Sequence, residues 1–169
     1  MSDTLESVDS TSSLIHARGL TKRFGELTAV DAIDFDVAAG ESFEVGPFRV
    51  DTWPLPHYLP NAGLRLAAGG RVLAYTGDTG PSPAIVELAR AADLLLAEAS
   101  FPEQVPASAA RYLSSARQAG EAAAAAGAGR LLLTHLLPGS VPEEAEEAAR
   151  RAYHGELGVA RAGAVVDLG

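Results

Sequence analysis

The pattern of apolar and polar residues along the chain predicts an α/β protein that begins with a β-hairpin. Residues 14–41 alternate between apolar and polar positions, as the strands of a hairpin do. From residue 43 onward, short apolar runs alternate with helix-like segments rich in Ala, Arg and Leu. Such alternation is typical of an α/β domain.

The second part of the chain contains clear strand and helix signals. Gly69-Gly70 suits a two-residue hairpin turn. Ser82 with Pro83 predicts a helix to about Ala92, Ser115 with Gln118 predicts a capped helix ending near Gly127, and Pro142 begins a third helix, EEAEEAARRAY. The predicted strands are 48–55, 62–68, 71–76, 93–99 and 130–136, with short strands in 158–168.

Composition narrows the chemistry that the chain can support. The 169 residues are about one domain, and the 47% hydrophobic content is enough for a core. No cysteine is present, so a metal would be bound by His, Asp, Glu or backbone oxygen. The formal net charge of -9 repels phosphate backbones, which disfavours nucleic acid as a partner.

Nothing in the sequence indicates secretion or a membrane. Residues 1–12 are polar and acidic, as in a flexible leader, whereas a secretory signal needs a basic start and an apolar core. No apolar run approaches the length of a membrane span. We therefore expect a cytoplasmic protein without a membrane partner.

Three potential metal ligands follow predicted strands. His57 lies in the loop PLPHYLPNAG, Asp78 lies in TGDTG, and His135 ends the run RLLLTH. Ligands of open α/β sheets bind at the carboxyl ends of strands, and this ligand set suits zinc, manganese or iron. Each residue also has a purely structural interpretation: His135 as a core histidine, Asp78 as a turn acid and His57 as a surface residue.

Long stretches of the chain also resemble a known family. FEVGPFRVDTWPLPHYLPNAGLRL, GGRVLAYTGDTGPSPAIVELARAADLLLAEASF and RQAGEAAAAAGAGRLLLTHLLPG occur in this order. Residues 43–169 thereby resemble the C-terminal part of a metallo-β-lactamase-fold hydrolase, nearest to ribonuclease Z and related phosphodiesterases. The resemblance implies part of a βα sandwich and a dinuclear zinc site. In it, His57 would bind one metal, Asp78 would bridge both and His135 would bind the second.

The chain departs from this family at two places. The signature H-x-H-x-D-H is absent, and the only histidine before His57 is the solitary His16. Each metal would then have two protein ligands, whereas a catalytic zinc normally has three. In ribonuclease Z-like members a histidine before the RQAGE helix works with an acid in the preceding strand. Tyr112 stands at the position of that histidine and Glu98 matches the acid, so both are candidate catalytic residues.

The segment before residue 43 resembles a different family. SLIHARGLTKRFGELTAVDAIDFDVAAGES is similar to the opening of an ABC-transporter ATPase domain, with Phe24 near where adenine would stack. No Walker A loop follows, and Lys22 is the only lysine, so ATP hydrolysis is not expected. These features predict a leader (1–12), an ABC-like hairpin (13–42) and a hydrolase-like part (43–169), joined by fusion or truncation.

Three functional hypotheses remain open from the sequence. The first is a metal-dependent hydrolase of phosphodiester or related ester bonds, incomplete and weakly active or inactive because H-x-H-x-D-H is absent, which would act on a small anionic substrate if active. The second is a non-catalytic remnant or interaction module, and the third is an ABC ATPase fragment. A retained half-sandwich would expose sheet surface, so we expect a homodimer as one form of the chain.

Overall fold

The computed structural model describes residues 13–24, 27–38 and 40–168. The leader predicted for residues 1–12 and the side chain of Phe24 lie outside the described part. The elements, in chain order, are β1 (Ser13–Phe24), β2 (Leu27–Ala38), β3 (Ser42–Val45), β4 (Phe48–Leu55), β5 (Asn61–Ala68), β6 (Arg71–Tyr75), α1 (Pro83–Ala89), β7 (Leu94–Glu98), α2 (Ala116–Ala126), β8 (Arg130–Thr134), α3 (Pro142–Arg150) and β9 (Glu156–Val159).

The strands form two sheets, which confirms the predicted hairpin and the predicted α/β class. β1 and β2 form a two-stranded antiparallel sheet. The other strands form a seven-stranded sheet in the order β3-β4-β5-β6-β7-β8-β9. Strands β3 to β6 are antiparallel, whereas β6 to β9 are parallel and are connected through α1, α2 and α3.

Local sequence signals explain most of the element boundaries. Gly69 and Gly70 have φ values of 58° and 79°, as the two-residue turn between β5 and β6 requires. The Ser82 side chain caps α1, and Ser115 and Gln118 form the predicted capping box of α2. Gly127 ends α2 in the left-handed region, with φ 64°.

Several elements differ from the sequence-based expectation. Helix α1 ends at Ala89 and not near Ala92, because the chain turns at Ala91, with φ 49°, to begin β7. Strand β3 was not predicted, and it pairs with β4 as a short edge strand. The short strands predicted in 158–168 reduce to β9 at Glu156–Val159.

The core lies between the sheet and its three helices. Ala74, Leu95, Leu131 and Leu133 point to the same face of the sheet and are almost fully buried. The helices cover this face largely with alanines and with Leu88, which is 0% exposed. Small side chains allow the helices to approach each other and the sheet closely.

The opposite face of the sheet is apolar and less well covered. Strand alternation places its side chains away from the helices, and in the described part of the chain none of them belongs to the core cluster. These half-buried residues are Leu64, Leu66, Leu73, Tyr75, Leu96 and Leu132. The described residues therefore form a sheet with helices on one face, which is one half of a βα sandwich.

Among the described residues, no helix combines the length and the apolar character that crossing a bilayer would need.

The contact between α2 and α3 depends on Gly120. A Cβ atom on Gly120 would lie 2.6 Å from the carbonyl oxygen of Ala149 and 3.1 Å from its Cα. Gly120→Ala gains about 1 kcal/mol of helix propensity but inserts a methyl group against backbone that cannot rotate away, at about 1–3 kcal/mol. We expect a net loss in the free energy of unfolding of about 1 kcal/mol, measured by urea denaturation.

Gly158→Ala is the matched control for this prediction. The added Cβ would meet only Leu132 Cδ2, at an ordinary contact distance of 3.5 Å. This variant should stay within about 0.5 kcal/mol of the parent chain. A Gly120→Ala variant as stable as Gly158→Ala would show that the two helices can separate at little cost.

Candidate functional site

Four strand ends meet at one edge of the seven-stranded sheet. β4 and β6 run in the same direction because each is antiparallel to β5, and β7 and β8 are parallel to β6. The residues that follow these strands therefore lie at the same edge. They are His57 after β4, Asp78 after β6, Ser100 after β7 and His135 after β8.

Backbone contacts hold the loops of this edge together. The carbonyl oxygen of Pro56 accepts hydrogen bonds from Gly80 N at 2.8 Å and from Thr79 Oγ1 at 3.1 Å. A Cβ atom on Gly80 would overlap the carbonyl group of Arg111, so the loop before α2 packs directly on the glycine. Ser114 Oγ of that loop donates to Thr79 O at 2.6 Å. The loops that carry His57, Asp78 and Arg111 are thus in mutual contact.

Asp78 and His135, two of the candidate metal ligands, lie close together. Oδ2 of Asp78 lies 3.4 Å from Nε2 of His135, and the two side chains are 42% and 41% exposed. His135 has a φ of 58°, in the left-handed region that is uncommon for residues other than Gly, although Asn, Asp and His adopt it more often than the rest. Such a conformation costs free energy, and residues that retain it are concentrated at functional sites.

A chain of hydrogen bonds fixes the tautomer of His135. Ser100 Oγ donates to Glu98 Oε1 at 2.7 Å, and His135 Nδ1 lies 3.1 Å from Ser100 Oγ. A longer contact of 3.4 Å joins the same hydroxyl to the carbonyl oxygen of His135. When Glu98 is ionised it accepts the single hydroxyl proton of Ser100, and the Nδ1–H of His135 then donates to Ser100. In the neutral imidazole, Nε2 then carries a lone pair and lies 3.4 Å from Asp78 Oδ2.

Glu98 is a buried carboxylate that contacts three segments of the edge. Besides Ser100, it accepts hydrogen bonds from the backbone N of Thr79 and, at 3.3 Å, from the backbone N of Ser114. Burial raises the pKa of Glu98, while these hydrogen bonds act in the opposite direction. At 1% exposure, the carboxylate lies beneath the site surface, and its predicted catalytic role stays a prediction.

His57 is also held through its Nδ1 atom. Nδ1 lies 2.8 Å from the carbonyl oxygen of Tyr112, which can only accept, so Nδ1 carries the proton and Nε2 is left with its lone pair. The edge of the His57 ring packs against Tyr58, with ring centroids 5.4 Å apart.

Tyr112 uses its ring for contacts. The ring lies 4.3 Å from the ring of Tyr58, centroid to centroid, and 5.6 Å from the guanidinium carbon of Arg111. The described residues provide no hydrogen-bond partner for the Tyr112 hydroxyl. The proposed role of this phenol as a catalytic acid stays a prediction.

The predicted three-residue metal site is assembled only in part. In residues 13–24, 27–38 and 40–168, no group of three or more His, Asp or Glu side chains converges tightly enough to bind a metal. Asp78 and His135 form a pair, and His57 is not part of it. The sequence analysis missed Ser100, Tyr58 and Arg111; only the position of Ser100, two residues after the strand acid Glu98, gave a signal in the sequence.

Comparisons with known proteins agree with this architecture. A family model described as a beta-lactamase superfamily domain matches residues 9–136, a range that starts before the resemblance seen in the sequence. The probable metallo-hydrolase YhfI of Bacillus subtilis is 31% identical over 120 residues, which are 71% of this chain and 49% of that protein. Ribonuclease Z of Myxococcus xanthus is 44% identical over 103 residues, covering 59% of this chain and 33% of that protein.

Solved structures show the same fold. The metallo-beta-lactamase fold protein YhfI from Bacillus subtilis superimposes with a TM-score of 0.68 and 28% identity, over 73% of this chain and 51% of that one. The short form of human tRNase Z gives a TM-score of 0.58 and 25% identity, over 75% of this chain and 44% of that one. The chain spans about half the length of the first curated relatives it matches, 49% and 45%. With a family model matched over most of its length and these relatives, the chain belongs to the metallo-β-lactamase superfamily.

Proposed function

We propose that this chain supplies part of the site of a metal-dependent hydrolase of phosphodiester or related ester bonds. Asp78 and His135 would bind one divalent metal, and His57 would contribute to a second. The observation that carries the proposal is the 3.4 Å approach of His135 Nε2 to Asp78 Oδ2, with Nδ1 already bound to Ser100.

This approach places two electron-pair donors opposite each other. A neutral His135 has no proton on Nε2, and an ionised Asp78 has none on its carboxylate, so both atoms can donate an electron pair to a cation beside them. Two tetrahedral zinc ligands at about 2.0–2.1 Å from the metal lie roughly 3.3 Å apart. The observed separation of 3.4 Å is close to this value and supports a metal ion shared by the two atoms.

The residues behind the pair have the arrangement expected around a metal ligand. A metal-binding histidine usually donates its other ring N–H to a carboxylate or to another acceptor, which fixes the ring and makes the ligand more basic. Ser100 accepts this hydrogen bond from His135 and donates its own hydroxyl proton to Glu98. We therefore assign Glu98 as a positioning residue that acts through Ser100. His57 has the simpler form of the same arrangement, with Nδ1 on a backbone carbonyl.

A bound divalent metal would supply Lewis acidity and would lower the pKa of water. The chain's own residues would orient that metal at the open edge of the sheet, where Asp78 and His135 are about 40% exposed and accessible to a substrate. The names of the relatives, a probable metallo-hydrolase and a ribonuclease Z, support hydrolysis of a phosphodiester or related ester. The acidic charge of the chain favours a small anionic substrate whose charge the metal offsets.

A non-catalytic interaction module is the second candidate function. It is favoured by the observation that the described residues bring together two metal ligands and not three. On this hypothesis Asp78 and His135 form an ordinary ion pair, with His135 protonated and donating to the carboxylate. The two candidates differ in whether the edge binds a metal.

Zinc binding by the purified chain tests the proposal. Because His135 would provide one of the few ligands, we expect His135→Ala to weaken zinc binding at least about tenfold. Isothermal titration calorimetry after dialysis against metal-free buffer gives the affinity, and elemental analysis gives the stoichiometry. A second, weaker equivalent that His57→Ala removes would correspond to the second metal.

His154→Ala is the matched control, because it removes an exposed histidine outside the candidate site. This variant should bind zinc as the parent chain does. A parent chain that binds no zinc would favour the interaction module, and equal affinities of the His135→Ala and His154→Ala variants would remove His135 from the site.

Ser100→Ala tests the positioning role without removal of a ligand. Loss of the hydroxyl frees the imidazole of His135 to rotate and breaks its connection to Glu98, so we expect zinc affinity to fall about tenfold. The circular dichroism spectrum should stay unchanged, because Glu98 keeps its two backbone donors. Ser108→Ala, at an exposed loop position, is the control. Equal zinc affinity of these two variants would contradict the role of Ser100.

A further inference from the structure

An exposed aromatic cluster lies beside the candidate metal ligands. It consists of Tyr58, Tyr112 and Arg111. The tyrosine rings are tilted by 31° at a centroid distance of 4.3 Å, and the guanidinium carbon of Arg111 lies 5.6 Å from the centre of the Tyr112 ring. Tyr58 is 57% exposed, and Arg111 is exposed. Exposed aromatic surface beside a charged group offers both a flat apolar contact and a charge to a ligand.

The cluster is attached to the loops of the candidate site. Tyr58 follows His57 directly, and Arg111 packs with its backbone against Gly80, two residues after Asp78. The carbonyl oxygen of Tyr112 accepts the hydrogen bond that orients His57. A molecule bound on these rings would therefore lie next to the edge that carries Asp78 and His135.

The charge of Arg111 is available to a ligand. In the described part of the chain no carboxylate lies within 4.0 Å of its guanidinium group. Most other described arginines have such a partner, as expected where acidic residues outnumber basic ones, 22 to 13. The paired arginines are Arg18, Arg49, Arg71, Arg90, Arg117, Arg130, Arg150 and Arg151.

We propose that Tyr58, Tyr112 and Arg111 bind the aromatic ring and the anionic group of a small aromatic phosphate ester. The proposal rests on the proposed function, since it names the substrate class of the same site. The ring of the ligand packs on the exposed Tyr58 and the half-buried Tyr112, which present flat surfaces and lose little side-chain entropy on binding. Arg111 forms a charge-assisted hydrogen bond with a phosphate oxygen and stays over the Tyr112 ring.

This assignment gives Tyr112 a role through its ring and not through its hydroxyl. The hydroxyl has no hydrogen-bond partner among the described residues, whereas the ring contacts both Tyr58 and Arg111. Tyr112→Phe therefore preserves the binding surface, and Tyr112→Ala removes it. If the role of Tyr112 were instead to donate its phenol proton to a leaving group, both variants would lose that role equally.

Binding of phenyl phosphate and methyl phosphate to the metal-free chain tests the inference. We expect phenyl phosphate to bind about tenfold more tightly than methyl phosphate, as measured by titration calorimetry or by ligand-observed NMR. Tyr112→Phe should bind phenyl phosphate within about twofold of the parent chain. Tyr112→Ala and Arg111→Gln should each bind it about tenfold more weakly. Arg161→Gln, which changes another exposed arginine, should have no effect.

The outcomes separate this inference from the proposed metal site, because the binding assay contains no metal. Equal affinity for the two phosphates would reduce the site to a simple anion site and overturn the inference. Loss of phenyl phosphate binding in Tyr112→Phe would overturn the role of the ring. If the chain binds phenyl phosphate about tenfold more tightly than methyl phosphate but binds no zinc, the aromatic site is supported and the metal-dependent hydrolase is contradicted. Arg111→Gln, at an exposed position, keeps the test valid if Tyr112→Ala fails to fold.

Discussion

The edge of the sheet depends on the hydrogen bonds that the buried carboxylate of Glu98 accepts. One oxygen binds the backbone of Thr79, next to Asp78, and the other binds Ser100 and the backbone of Ser114. These donors come from three separate segments, so a single side chain fixes the relative positions of the loops. An isolated buried carboxylate would be costly, and the three donors offset much of that cost. The position of the candidate ligands is thus a consequence of a charge placed beneath them.

Much of the fold could be predicted from the sequence because its signals are local. The capping box at Ser115, the proline at position 142 and the Gly69-Gly70 turn each act within a few residues. The apolar runs of β7 and β8 are long enough to identify buried strands. Strand β3 gave no such signal, because its four residues form a mostly exposed edge strand that, within the described part of the chain, pairs with β4 alone.

The candidate site was accessible from the sequence only in part. Asp78 and His135 follow parallel strands, so their proximity follows from topology once the strands are identified. The tautomer of His135, the buried position of Glu98 and the stacking of Tyr58 on Tyr112 depend on loops that are far apart in the chain. Such contacts are decided by backbone approach, as at Gly80 and Arg111, and no local pattern encodes them.

The left-handed backbone at position 135 restricts how this edge could change its chemistry during evolution or in the laboratory. With φ at 58°, Asn, Asp and Gly fit the position readily, whereas β-branched residues would clash with their own backbone. Replacement of His135 by Asp would exchange a nitrogen ligand for an oxygen ligand at a lower conformational cost than most other side chains would have, which shifts preference toward harder ions such as Mn²⁺ or Mg²⁺. A library that aims to change metal preference should therefore sample Asp and Asn at this position and omit Val, Ile and Thr.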